Sequence, residues 1–168
     1  MSAPAYVIGF LFAPRYERVV LIEKRKPAWQ AGLLNGVGGK IEPGETPEEA
    51  IARECAEECG VALPAHGWSL IATELAAGGI GDGRRPTLYF LKVMSARAGT
   101  AHTCEAEKIL LVEPHYLPRN VIPNVRWLVP LALDPGVGAL IRIHGSGAYG
   151  RGVLRAGDPL APQDGGPV

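Results

Sequence analysis

Residues 39–61 read GKIEPGETPEEAIARECAEECGV, and the fold of the chain is decided there. Thr46, Pro47 and Glu49 announce a helix start. Threonine suits the N-cap, proline the first helical position where its missing N–H costs nothing, and glutamate at N3 closes a capping box. Gly60 falls where a left-handed C-terminal cap belongs, so the spacing predicts a helix from Pro47 to Cys59. Side chains three and four apart share a helical face, which gathers Glu54, Glu57 and Glu58 on one stripe. Ile51 and Cys55, with Ala52 and Cys59 nearby, supply the opposite, buried stripe.

Each pair of such carboxylates at about 4 Å costs roughly 1 to 4 kcal/mol, between water-like and surface-like dielectric. All three lie past the first turn, where the helix dipole gives little relief. A divalent hard cation offsets the repulsion better, and protein carboxylates with phosphate oxygens are what magnesium prefers. Arg53 flanks the stripe and can pair with Glu45 in the preceding loop, pinning loop to helix. Gly36, Gly38 and Gly39 let the backbone pass close to metal and phosphate. Taken singly, an acidic pair is a solvated face, the glycines are turns, and an Arg–Glu pair is a weak surface contact. Their joint spacing is what favours a catalytic site.

Gly39, Glu45, Arg53, Glu54, Glu57, Glu58 and Gly60, with Cys55 and Val61 in the two apolar slots, resemble the complete Nudix box. The resemblance covers roughly residues 5–133. It implies an α/β fold, an α/β/α sandwich around a mixed β-sheet, and hydrolysis of a nucleoside diphosphate linked to another moiety X. It also implies Mg2+, with Mn2+ as a substitute. Glu57 and Glu58 would be principal metal ligands together with the carbonyl of a box glycine such as Gly39. Glu54 would be a further ligand or the general base, a role left open between it and an acid from a later loop.

The rest of the chain fits one such domain over residues 1–134, followed by a Gly/Pro-rich extension over residues 135–168. At 168 residues and 47% hydrophobic content the chain can bury a proper core. Seventeen basic and seventeen acidic residues give a formal net charge of zero, so no basic field recruits nucleic acid or an anionic membrane. The apolar run from Tyr6 to Ala13 is too short to span a bilayer, and three cysteines without a CxxC pair suit a reducing compartment. The expected setting is cytoplasmic and the expected partner a small nucleotide. Oligomeric state, a homodimer included, stays open.

Apolar runs at Ala5 to Ala13 and Arg18 to Lys24 suggest a β-hairpin, with a third strand at Asn35 to Ile41. Trp68 to Ala76 and Thr87 to Met94 read as a second pair, joined by a glycine-rich loop. Ile109 to Val112 is a short fifth segment, Val125 to Leu133 a helix despite Pro130, and Ala139 to His144 one further strand. The last dozen residues are expected to be mobile.

The NADH-cleaving, ADP-ribose and dinucleoside polyphosphate branches of the family carry markers after the box. The corresponding window, SLIATELAAGGI at residues 69–80, contains none of them. By elimination the chain looks like the branch that hydrolyses nucleoside triphosphates, oxidised guanine nucleotides among them, to monophosphate and pyrophosphate. Glu107 lies where that branch often places an extra loop glutamate that completes the metal site, with Glu105 its close competitor and a surface carboxylate the alternative. Asn124 and Trp127 stand where similar enzymes read a purine edge and wall the base pocket; an N-cap and a core tryptophan are the plain alternatives. Trp29 could stack a base or simply pack. A different diphosphate-linked substrate, or a nucleotide-binding module without catalysis, would use the same fold.

Overall fold

The run AYVIGFLF at Ala5–Phe12 (β1) is apolar on both sides of the pleat, as a strand covered on both faces must be. In the computed structural model, which describes residues 3–76, 85–135 and 141–144, β1 is the middle of the sheet. Its long partner is Thr87–Met94 (β5), parallel to it along the whole length from Ala5↔Thr87 to Phe12↔Met94. Val19–Glu23 (β2) pairs antiparallel with β1 only at Leu11↔Val20 and Phe12↔Val19. The expected hairpin therefore forms, but splays after two pairs. Beyond them the edge of β1 is taken by the loop that leads into the helix. Gly9 N–H donates to Val37 O at 2.7 Å and Val7 N–H to Gly39 O at 2.9 Å.

The third expected strand is regular only at Leu34–Asn35 (β3), which pairs with β2; the rest of that segment holds β1 through isolated bridges at Val37 and Lys40. Ser69–Leu75 (β4) lies antiparallel to β5 with a register shift between Leu70 and Ala72. Lys108–Val112 (β6) lines β2 antiparallel from Val19↔Val112 to Glu23↔Lys108. Ile141–His144 (β7), the strand expected in the extension, pairs parallel with β4. The order is β3-β2-β1-β5-β4-β7, with β6 on β2.

Pro47–Cys59 (α1) and Val125–Leu133 (α2) form over the expected residues and cover opposite faces of the sheet. Val7, Leu11, Val20 and Leu91 pack with Ile51, Cys55 and Cys59 of α1. Phe10, Phe12, Leu21 and Phe90 pack with Val125, Leu128 and Val129 of α2. The alternation along β1 is that of a strand sending successive side chains to opposite faces. Gly9 is what lets α1 settle, since a Cβ there would lie 2.6 Å from the Ile51 side chain and 2.8 Å from Trp68. The architecture is the mixed-sheet α/β/α sandwich. No helix among the described residues is long and apolar enough to cross a membrane. Residues 77–84 of the glycine-rich loop and the last dozen residues fall outside the described residues.

Candidate active site

Both ends of α1 are fixed by local chemistry. Glu49 N–H donates to Thr46 Oγ1 at 3.2 Å and Thr46 N–H to Glu49 Oε2 at 2.8 Å, while Gly60 closes the helix at φ 71°. The last carbonyls are met by the loop before β6, through His102 N–H to Cys59 O and Cys104 N–H to Glu58 O. That loop carries Glu105 and Glu107, so the same bonds that cap the helix bring its acids to the site.

On the exposed side of α1, Arg53 gathers three carboxylates. Its Nε and Nη2 hold Glu45 at 2.7 and 3.0 Å, and its Nη1 reaches Glu54 at 2.8 Å and Glu57 at 3.1 Å. A further bond from Nη2 to Lys40 O at 3.1 Å ties the guanidinium to the glycine loop. The Glu45 pairing was legible in the sequence; the reach to Glu54 and Glu57 was not. The Arg53 hydrogen bonds, helped by the Glu42 N–H, hold Glu45 down at about 2. Burial raises the Glu54 carboxyl above its ordinary range, against the opposing pull of Arg53.

Glu58 points inward and is only 7% exposed. Its Oε2 accepts from Gly38 N–H at 2.9 Å. Burial pushes it up to about 7; the Gly38 N–H and Lys24 pull the other way, and Glu54 and Glu107 add to the rise. Gly38 itself has φ +150°, and a Cβ there would collide with Val7 O at 2.1 Å. A Cβ on Gly39 would sit 2.3 Å from Glu54 Oε1, so bare backbone passes against that carboxylate. The Gly39 carbonyl spends one lone pair on Val7 N–H and keeps a second.

The described residues hold no ready-made cage of three ligands, because Glu54 and Glu57 turn to Arg53 and Glu58 to Gly38. The donor set nevertheless fits a hard divalent cation. It consists of carboxylates on one helical face, two of them raised by burial, and a backbone cradle that a methyl group would fill.

Glu107 is brought to the site's edge but is engaged by a residue the sequence reading missed. Lys24 Nζ lies 2.5 Å from its Oε2, and Arg25 N–H donates to its Oε1 at 2.7 Å. The register Glu23↔Lys108 explains the meeting, since it sets the ends of β2 and β6 side by side. Glu105 is exposed and close enough to Glu54 to raise its pKa.

Asn124 begins α2, yet its side chain caps nothing. It is 7% exposed, and its Oδ1 is buried without a hydrogen-bond partner among the described residues. Trp127 is 42% exposed and Trp29 46%, so neither is a core residue. The segment leading to Asn124 is tied to β3 by Leu34 N–H to Asn120 O and Ile122 N–H to Leu34 O. One strand residue thus separates this end of α2 from the glycine loop at Gly36.

Residues 3–130 match the family model of the NUDIX domain. The chain belongs to the Nudix family. The box supplies the acids on α1. It is similar to an oxidized purine nucleoside triphosphate hydrolase of Danio rerio, 46% identical over 44 residues, 26% of this chain and 28% of the relative. It is also similar to the 8-oxo-dGTP diphosphatase of Escherichia coli K12, 44% identical over 48 residues, 29% of this chain and 36% of the relative. Both matches span little more than a third of the relatives' length at most. Among solved structures, a MutT NUDIX hydrolase of Burkholderia pseudomallei aligns at a TM-score of 0.60 and 23% identity, covering 78% of this chain and 98% of that one. The NUDIX domain of Shewanella oneidensis NrtR, complexed with ADP ribose, aligns at 0.63 and 16%, covering 79% and 87%. These two share the fold.

Proposed function

We propose that this Nudix hydrolase converts a nucleoside triphosphate, foremost one with an oxidised purine, to monophosphate and pyrophosphate using Mg2+, with Mn2+ as a substitute. The observation that carries the reading is the packing of Glu54 and Glu58 against the Gly38–Gly39 backbone, with Glu57 on the same face. Glu57, Glu58 and the free lone pair of the Gly39 carbonyl would hold the cation, with Glu54 as a further ligand or as the general base. Bound there, it would neutralise the polyphosphate and make an attacking water more acidic.

The chain's own groups do the rest. Arg53, braced by Glu45 and the Lys40 carbonyl, fixes the angle between loop and helix and keeps Glu54 and Glu57 on the substrate side. Glu54, raised by burial and placed at the backbone cradle, is suited to take a proton from water, with Glu105 and Glu107 as the loop acids beside it. Asn124, with an unspent buried acceptor, and Trp127, half-exposed, would read and wall a purine, with Trp29 as a second stacking surface. The names of the two partial relatives support an oxidised purine triphosphate as the substrate.

The test is pyrophosphate and phosphate release from common and 8-oxo triphosphates, ADP-ribose, dinucleoside polyphosphates and nucleotide sugars, with and without Mg2+. Metal-dependent pyrophosphate from triphosphates supports the reading. Monophosphate from a linked diphosphate alone would transfer the chain to another Nudix substrate, and silence on every compound would leave a nucleotide-binding module.

A further inference from the structure

The acids around α1 are met by two cations of very different attachment. Arg53 is anchored by a two-point pair with Glu45 and by the Lys40 carbonyl, neither of which depends on the site's other acids. Lys24, by contrast, is bound through its ammonium to Glu107, 2.5 Å away, with both side chains only 16% exposed. Burial works to raise the Glu107 pKa, and the Lys24 bond with the N–H groups of Arg25 and Lys26 outweighs it. The field of Lys24 also reaches Glu58. One ammonium therefore serves a loop acid and a helix acid that belong to the same negative cluster.

Two positive centres compete for one set of carboxylates when a divalent cation arrives. A guanidinium held in a planar fork gives way reluctantly, whereas an ammonium on a four-carbon stem can turn aside by rotation about single bonds. We propose that Lys24 is an exchangeable counter-ion of this site: it holds Glu107 while no divalent cation is bound and releases it when one binds. The inference rests on reading the acidic face as a cation site. It makes Lys24 a positioning residue that lowers affinity for the bare cation. The displaced ammonium is then left beside the space a polyphosphate would fill, so cation and nucleotide bind with positive coupling.

The experiment is Mn2+ titration followed by the electron paramagnetic resonance of free ion, for the wild type, Lys24→Met, Glu107→Gln and the double variant. Lys24→Met is expected to bind Mn2+ about tenfold tighter, the scale set by removing one nearby like-charged competitor at surface-like dielectric. In the Glu107→Gln background the same change is expected to gain only about twofold, because the acid through which Lys24 acts is neutral. Repeating the titration with a non-hydrolysable α,β-methylene triphosphate should strengthen Mn2+ binding in the wild type and do so much less in Lys24→Met.

Equal or weaker Mn2+ binding by Lys24→Met, or the same gain with Gln at 107, would overturn the inference. Lys24→Arg keeps the charge and is expected to bind Mn2+ no tighter than wild type; tighter binding by it would count against the counter-ion role. If Lys24→Met does not fold, Lys24→Gln replaces it with the same expectation. The readout is binding, so absent triphosphate turnover would sink only the proposed substrate. A wild type that takes up no Mn2+ would sink the cation site and this inference together.

Discussion

Arg53 holds Glu45 at two points, Nε to Oε1 at 2.7 Å and Nη2 to Oε2 at 3.0 Å, and this pair joins the loop to the helix that carries the acids. Glu45 titrates at about 2 in the fold against an ordinary 4.5. A group whose pKa is depressed by folding contributes stability that is fully present above its unfolded value and lost as pH falls through the folded one. Glu45→Gln should therefore melt about 2 °C below wild type at neutral pH, the scale of a partly exposed pair in a chain this long. The gap should narrow between about pH 4.5 and 2. Thermal denaturation across that range checks it; a gap that stays constant into acid would show that the charge of Glu45 is not what matters.

Arg53→Lys keeps the charge but not the fork, so Glu45, Glu54 and Glu57 cannot all be held in place. Turnover is expected to fall roughly a hundredfold with KM changed far less, since small misplacement of catalytic groups acts mainly on kcat. Steady-state kinetics on the best substrate decide the matter. An equal loss spread into KM would mean that Arg53 binds substrate rather than placing the acids.

Neighbouring glycines should fail in different ways. A methyl on Gly38 meets the Val7 carbonyl at 2.1 Å in a backbone held at φ +150°, and neither can yield cheaply. Gly38→Ala should cost at least about 2 kcal/mol of stability. A methyl on Gly39 meets the end of the Glu54 side chain, which can rotate away. Gly39→Ala should keep the fold within about 1 kcal/mol and lose activity at least tenfold. Chemical denaturation alongside turnover separates the two, and matching losses for both variants would contradict the assignment of Gly39 to the site.

The contrast between α1 and its surroundings shows what a single sequence can carry. Thr46, Glu49 and Gly60 act on their own neighbours, so the helix and its acidic face could be read directly. Glu45 lies eight residues from Arg53, in the loop that enters the helix, so this pairing too could be read from the residues. Lys24 and Glu107 are 83 residues apart and meet only because β6 lies on β2, a register that neither strand's alternation specifies. The early divergence of β1 and β2 was hidden for the same reason, since the 37–40 loop takes over the β2-side edge of β1 through backbone groups common to any sequence. Burial of Glu58 was missed because the acids were assigned as a group to the outer face, while its carboxylate turns inward to the Gly38 N–H.

That inward turn of Glu58 gives a prediction in which stability and activity move apart. Glutamine in its place still accepts from Gly38 N–H, removes a charge from a buried position and relieves repulsion from Glu54 and Glu107. Without divalent cation, Glu58→Gln should be more stable than wild type by about 1 kcal/mol. With Mg2+ the order should narrow or reverse, because wild type alone gains a full ligand set, and turnover should fall at least a hundredfold. Melting with and without Mg2+ tests both halves. Destabilisation in the absence of metal would mean that the charge of Glu58 is satisfied by the fold itself.

Asn124 offers the sharpest test of where a base would bind. Its Oδ1 is buried with no partner among the described residues, so the fold gains nothing from that acceptor, and its removal exposes no group left unpaired. Asn124→Ala should melt within about 2 °C of wild type. If the acceptor reads a purine edge, kcat/KM for the preferred purine triphosphate should drop about 10- to 100-fold, the cost of leaving one base-edge hydrogen bond unmade. Pyrimidine triphosphates should change little, and Trp127→Ala should weaken both classes, because a half-exposed ring stacks without distinguishing edges. Kinetics of the two variants on four matched triphosphates separate edge reading from stacking. A uniform loss across all bases in Asn124→Ala, or a large fall in melting temperature, would place Asn124 in the scaffold and move base recognition elsewhere.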